Sequence, residues 1–259
     1  MTDLSGKVCW ITGGANGFGA AAARRFANLG AAVVVSDVEA DRGTAVAEQV
    51  GGRFVACDVS SYDDVTAAVD AVVTEHGRLD VAFLNAGVST GCGVGDDFDL
   101  AKYRRAMGVN LDGVVFTLQA AMSAIRRAGN GGDVIATASL AGLTAVPFDP
   151  IYGANKHGVV GLVRGVGAAS IAEGIRVNAL CPGFADTRIV DDIRGVLADQ
   201  GLDLIPVDQV VDTLVAILDA GRSGECWFVQ LGRDSAPFGF RNIPGPRGRS
   251  EGVSGQIGG

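Results

Sequence analysis

Histidine is nearly missing from this chain of 259 residues. Only His76 and His157 are present, and neither has a metal-ligand partner at motif spacing, so no metal site is expected. The five cysteines, Cys9, Cys57, Cys92, Cys181 and Cys226, are odd in number, widely spaced and contain no C-x-x-C pair. That usage fits reduced thiols in a large intracellular domain rather than a disulfide framework. Basic charge is also scarce: 21 Lys and Arg stand against 29 Asp and Glu, for a net charge of −8. A nucleic-acid partner is not expected, because such affinity rests on clustered cations facing the phosphate backbone. No stretch reaches the roughly 18 consecutive apolar residues of a membrane span. The start, M-T-D-L-S-G-K-V, has neither the basic region nor the cleavage pattern of a secretory leader. A soluble, cytoplasmic protein with no membrane partner is the expectation.

What the chain does have is apolar content, 48% of its residues, enough for one large core. Residues 1–231 read as a single catalytic domain, and 232–259 as an irregular tail rich in Gly, Pro and Arg, on which Phe238, Phe240 and Ile243 are candidate anchors. Seven β-branched runs, at 8–12, 32–36, 54–57, 81–85, 133–137, 175–180 and 226–230, read as strands. Their unbroken hydrophobicity suggests burial on both faces, as in a parallel sheet covered by helices. Helical patterns fall between them at about 17–29, 41–50, 61–76, 99–128, 152–173 and 207–220. The alternation implies an α/β doubly wound parallel sheet of the Rossmann type, whose ligands bind beyond the carboxyl ends of the strands.

T-G-G-A-N-G-F-G, from Thr12 to Gly19, lies between the first strand and the first helix. Gly13, Gly17 and Gly19 permit a tight turn and close approach to a pyrophosphate, with Asn16 and Phe18 completing the loop. Asp37 ends the second strand about twenty residues beyond the loop, where its carboxylate can accept from the adenosine ribose hydroxyls and repel a 2′-phosphate. No Arg or Lys lies within the loop and Val38 follows Asp37, so NAD is the expected cofactor. Asp58 and Val59 follow the third strand. The Asp58 carboxylate is a candidate partner of the adenine amino group, or else a local cap ahead of the next helix.

Tyr152 and Lys156 stand four residues apart in I-Y-G-A-N-K-H, on one face of a helix, thirteen residues after Ser139. A free phenol, with a pKa of about 10, is a poor base at neutral pH, and a cation within about 4–6 Å favours its ionised form. The expected division of labour makes Tyr152 the general acid or base and Ser139 a hydrogen-bonding group for the substrate oxygen. Lys156 then lowers the phenol's pKa.

These motifs taken together resemble the short-chain dehydrogenase/reductase family over nearly all of residues 4–231. The shared signatures are the glycine loop, Asn85-Ala86-Gly87, Val109-Asn110, Ser139, Tyr152 to Lys156, and Pro182-Gly183. The resemblance implies strand order 3-2-1-4-5-6-7 and NAD(H)-dependent interconversion of a secondary alcohol and a ketone. It implies too that Lys156 holds the nicotinamide ribose and that Asn110 is a fourth catalytic residue supporting a water relay. Pro182, Gly183 and Thr187 would border the nicotinamide, and the assembly would be a homo-oligomer, a tetramer or a dimer. Two departures stand out: Ala138 precedes Ser139 where another serine is common, and no D-G-G follows the seventh strand.

The resemblance also implies that segments 88–95, 141–151 and 184–205 line the small-molecule substrate site. They supply mostly apolar side chains such as Leu143, Phe148 and Phe184, and the segment after Pro182 reads as a lid. A hydrophobic secondary alcohol or ketone fits that lining. The alternatives are an NADPH-dependent 3-oxoacyl or polyketide ketoreductase and a non-catalytic dinucleotide sensor.

Overall fold

The structure is a computed structural model that describes residues 2–241. Strand β1 (Val8–Thr12) leads into helix α1 (Gly17–Asn28), β2 (Ala32–Asp37), α2 (Ala40–Gln49), β3 (Arg53–Ala56), α3 (Tyr62–His76) and β4 (Val81–Leu84). Next come α4 (Leu100–Met107) and α5 (Gly113–Ala128), joined without a break by a π-helical turn over Gly108–Asp112. After β5 (Gly132–Thr137) follow α6 (Pro150–Ala169), β6 (Ile175–Pro182), α7 (Arg194–Asp199), α8 (Val207–Ala220), β7 (Cys226–Val229) and β8 (Ala236–Pro237).

The sheet runs β3-β2-β1-β4-β5-β6-β7-β8, parallel throughout except for the last pair. Seven strands in the expected order are therefore present, and the expectation of seven is corrected by one. The eighth lies in the stretch read as irregular, where the Phe238 amide donates to the Cys226 carbonyl at 2.7 Å. Phe240 then packs against the core with its ring 3.8 Å from the Arg164 guanidinium. Ile243 lies outside the described residues.

Each strand serves two cores because its side chains alternate. Val8 and Trp10 of β1 enter the cluster under α3, α5 and α6, whereas Cys9 and Ile11 enter the one under α1, α2 and α8. All five cysteines are free, and four are buried as small hydrophobes, with Cys92 half-buried in its loop. The continuous helix over 100–128 is long and apolar enough to cross a membrane by length and composition. Its apolar face is nonetheless taken up inside the fold, where Val114, Leu118, Met122 and Ile125 are buried.

Helix ends are set by local chemistry. Ser61 caps α3 by accepting from the Asp64 amide, and Gly77 ends that helix in the left-handed region. At α6, Asp149 is the N-cap and Pro150 occupies the first turn, so the helix starts ahead of the expected residue 152. It closes at Ala169, and a short 3-10 turn covers 171–173.

Candidate active site

The carboxyl ends of β1, β4, β5 and β6 meet along one rim of the sheet, and the motif residues collect there. Asn85 ties three of these ends together. Its Nδ2 donates to the Gly13 carbonyl at 3.1 Å, its Oδ1 accepts from Thr137 Oγ1 at 3.1 Å, and its amide donates to Thr12 Oγ1 at 3.1 Å. The Asn85-Ala86-Gly87 segment is thus a scaffold under the glycine loop.

At α1 the Asn16 side chain makes no cap hydrogen bond, and no acidic residue occupies the first turn. Amides without an intrahelical partner, with the positive end of the helix dipole, suit an anion such as a pyrophosphate. Gly19 must be glycine, because a Cβ there would run into the Gly13 carbonyl oxygen. Phe18 anchors the loop from inside by packing on the second core cluster. Asp37 holds the loop in place: Oδ2 accepts from the Ala15 amide at 2.9 Å and Oδ1 from the Glu39 amide at 3.0 Å. Its position, half-buried at the end of β2, is the one expected of a ribose-binding carboxylate.

The three chemical residues come from two elements in close approach. Ser139 starts the 3-10 turn after β5; its Oγ accepts from the Ala141 amide at 3.1 Å and donates to the Pro182 carbonyl at 3.3 Å. Gly142 lets this turn sit directly on α6, since a Cβ there would lie 2.5 Å from the Lys156 carbonyl oxygen. Asp149 Oδ1 accepts from the Tyr152 amide at 2.9 Å, which fixes the first turn of α6 and with it the direction of the phenol. Lys156 is buried, donating from Nζ to the Thr137 carbonyl at 2.9 Å, and its ammonium stands 5.6 Å from the Tyr152 ring centroid.

Burial dominates the electrostatics of the pair before any dinucleotide is present. Burial pushes the Tyr152 phenol up to about 12, opposed by hydrogen bonding to Ser139 and reinforced by Asp149. Burial likewise brings Lys156 down to about 8. Desolvation is the leading cause for both groups, since each has left water, and the ammonium is held by a neutral carbonyl. At neutral pH the pair rests as a protonated phenol beside an ammonium whose burial has moved its titration toward neutral pH.

Asn110 occupies the π-helical turn and is wholly buried. Its side chain is committed to the chain after β4, accepting from the Val88 amide and donating to the Val88 carbonyl, each at 2.9 Å. This holds Gly87 beside Lys156: a Cβ on Gly87 would stand 3.4 Å from Asn110 Oδ1 and 3.9 Å from Lys156 Nζ. Pro182 ends β6, and the Gly183 amide donates to the Val229 carbonyl at 3.0 Å. Thr187 reaches over the glycine loop, its Cγ2 3.2 Å from where a Gly17 Cβ would be. Asp58 behaves as a local turn residue, its Oδ1 accepting from the Ser60 amide and hydroxyl at 2.9 and 2.7 Å, while Val59 packs on Gly113.

On the substrate side, Phe148 and Phe184 face each other with centroids 6.4 Å apart, and Phe148 is 72% exposed. In the segment after Pro182, Arg194 pairs locally while Arg188 reaches out to Glu39. Arg194 binds Asp186 at 2.8 Å and Asp191 at 3.0 Å, leaving the aromatic pair as the main feature of that wall.

Two contributors escaped the sequence reading. Asp149-Pro150 is a helix-start signature that was there to be found. The second is Glu39, which gathers Arg42 and Arg188 beside the loop; Arg188 is 149 residues away in sequence, so no local pattern announces it.

Comparison with known proteins is consistent with this geometry. Residues 7–196 match the sequence profile described as short chain dehydrogenase. The chain is 36% identical over 205 residues to a 2,5-dichloro-2,5-cyclohexadiene-1,4-diol dehydrogenase of Sphingobium indicum, covering 78% of this chain and 81% of that one. It is 40% identical over 187 residues to a mitochondrial (-)-isopiperitenol/(-)-carveol dehydrogenase of Mentha piperita, covering 70% and 71%. Among solved structures, a 3-ketoacyl-(acyl-carrier-protein) reductase from Brucella melitensis, complexed with NADH, superposes with a TM-score of 0.83 at 28% identity. That match covers 89% of this chain and 99% of that one.

Proposed function

The chain belongs to the short-chain dehydrogenase family, oxidoreductases that use nicotinamide dinucleotides, and from that membership we propose an NAD-dependent dehydrogenase acting on an apolar, ring-bearing secondary alcohol. The observation that carries the proposal is the convergence of Ser139, Tyr152 and a buried Lys156 at the rim where the glycine loop ends. The cradle fits a dinucleotide: uncapped amides at α1 for the pyrophosphate, Asp37 for the ribose, and the rim residues Asn85, Ala86, Gly87, Pro182, Gly183 and Thr187 along the nicotinamide half. Asp58 and Val59 would face the adenine.

A bound oxidised nicotinamide would supply the hydride acceptor and a positive charge that favours an ionised phenol. Under that charge and that of Lys156, the Tyr152 Oη gives up its proton and becomes the base that takes the substrate hydroxyl proton. Ser139 Oγ hydrogen-bonds the same substrate oxygen and steadies its developing charge. In carbonyl reduction the roles reverse, and the protonated phenol is already the resting form. Lys156 would hold the ribose hydroxyls of a bound dinucleotide and carry the proton outward, and Asn110 keeps the Gly87 backbone beside the lysine.

The substrate class is supported by the Phe148–Phe184 wall and by relatives named for a cyclohexadiene diol and for carveol. A second reading, reduction of a 3-oxoacyl thioester, draws on the Brucella reductase. The test is a panel of cyclic, aromatic and acyclic secondary alcohols, with a 3-oxoacyl thioester in reverse, each with both dinucleotides and followed by reduced-nicotinamide absorbance. Turnover of cyclic alcohols with NAD is the expected result. Turnover of the thioester alone would install the second reading, and no turnover together with no dinucleotide binding would refute both.

A further inference from the structure

We infer that Glu39 sets the choice of dinucleotide by neutralising two arginines that the fold brings to the adenosine end of the site. The inference rests on the NAD-dependent reading above and deepens it. Beyond Asp37 the chain passes through exposed Val38 to Glu39, which sits at the N-cap position of α2 without making a side-chain cap hydrogen bond. One carboxylate there serves three partners. It accepts from Arg42 Nη1 at 2.9 Å, from Arg188 Nη1 at 3.0 Å and from Asn16 Nδ2 at 3.2 Å. Arg42 Nη1 also lies 3.4 Å from Asn16 Oδ1, so the second arginine-bearing helix and the glycine loop share the same cluster.

Two guanidinium groups next to a ribose-binding carboxylate are the raw material of a 2′-phosphate site, since guanidinium forks match phosphate oxygens in charge and geometry. Here their charge is already matched. Asp37 and Glu39 supply two negative charges against the two positive ones of Arg42 and Arg188, which leaves the corner neutral toward an unphosphorylated ribose. A phosphate bearing about two negative charges would have to displace Glu39 from both arginines to be held. The absence of Arg or Lys from the glycine loop is thus only part of the preference for NAD. Arginines are present, and a carboxylate two residues past Asp37 occupies them.

All three side chains are partly exposed, so substituting them leaves the core intact. The experiment titrates NADH and NADPH into wild type, Glu39→Gln, and Glu39→Gln carrying Arg42→Ala and Arg188→Ala, following the fluorescence of the bound reduced nicotinamide. In Glu39→Gln the ratio of the NADPH to the NADH dissociation constant should fall roughly tenfold, and the two alanines should restore it. The gain should shrink in high salt, as an exposed charge interaction does. A preference for NADH that Glu39→Gln leaves unchanged overturns this inference and spares the proposed function. A gain that survives loss of both arginines also overturns it. Wild type binding NADPH as tightly as NADH overturns this inference and the NAD preference together.

Discussion

Replacing Lys156 by Met should remove one component of the protein's stability that grows with alkaline pH. The ammonium of Lys156 falls from its ordinary 10.5 to about 8 in the folded protein because burial penalises its charge. In the unfolded chain it titrates at its ordinary value. Below about pH 8 both states hold the proton, and the folded state carries the full cost of a buried charge. Between the two values the unfolded chain holds one more proton on this lysine than the folded protein does, so the contribution of Lys156 to wild-type stability, relative to the Met variant, rises with pH by about 1.4 kcal/mol per unit. From about pH 7 to about pH 9.5 the gain is about 2 kcal/mol after the titration tails are included. Met is similar in length and carries no charge. It leaves the Thr137 carbonyl without its donor, a penalty that is the same at both pH values and drops out of the comparison. Urea unfolding of both proteins without added dinucleotide, at the two pH values and analysed with a common slope, gives the difference directly. A wild-type advantage that does not grow with pH would show that burial leaves the lysine's titration alone, and would remove the basis for treating it as a poised proton carrier.

Tyr152→Phe should lower kcat by about 10²-fold or more while NADH still binds, measured by steady-state turnover and by titration; retained turnover would end the general acid/base assignment. Asp37→Ala should weaken NAD and release the Ala15 and Glu39 amides, so discrimination between the dinucleotides drops; unchanged discrimination would clear Asp37 of its role. Asp149→Ala removes the cap that fixes Tyr152 and should cost about 1 kcal/mol in thermal or urea unfolding. Because that cap aims the phenol, kcat should fall more than KM rises, whereas an equal loss in Asn or Ser replacements would argue against a capping role.

The parts of this fold that could be read from sequence are those fixed by neighbours in the chain. Six of the seven parallel strands show themselves because most of their residues are buried on both faces, which leaves apolar runs, whereas β3 at the sheet edge is exposed or half-buried throughout. The glycine loop shows itself because its shape restricts its composition. The start of α6 was misplaced by two residues although Asp149-Pro150 announces it. The Gly108–Asp112 π-turn left no mark, since its backbone departure changes no periodicity. The turn over 188–193 and α7 leave little trace in the sequence because they are short. For the site, Ser139, Tyr152 and Lys156 follow from spacing, whereas the Thr137 carbonyl that holds the lysine and the Arg188–Glu39 pair depend on contacts far apart in the chain. The phenol's high pKa was not legible either, because desolvation is a property of the packed protein rather than of the Tyr-Lys spacing.

The small closing strand β8 bears on how the protein behaves in a crowded solution. A parallel sheet that stopped at β7 would offer a row of unpaired amides and carbonyls to any other chain with a free edge. Ala236 and Pro237 occupy that row, and the new edge they create is two residues long and includes a residue with no amide hydrogen to donate. Phe240, laid on Arg164, fastens the strap to α6. A version shortened to residue 231, which composition alone would suggest as the natural boundary, would keep all its chemical residues and lose its guard against aggregation.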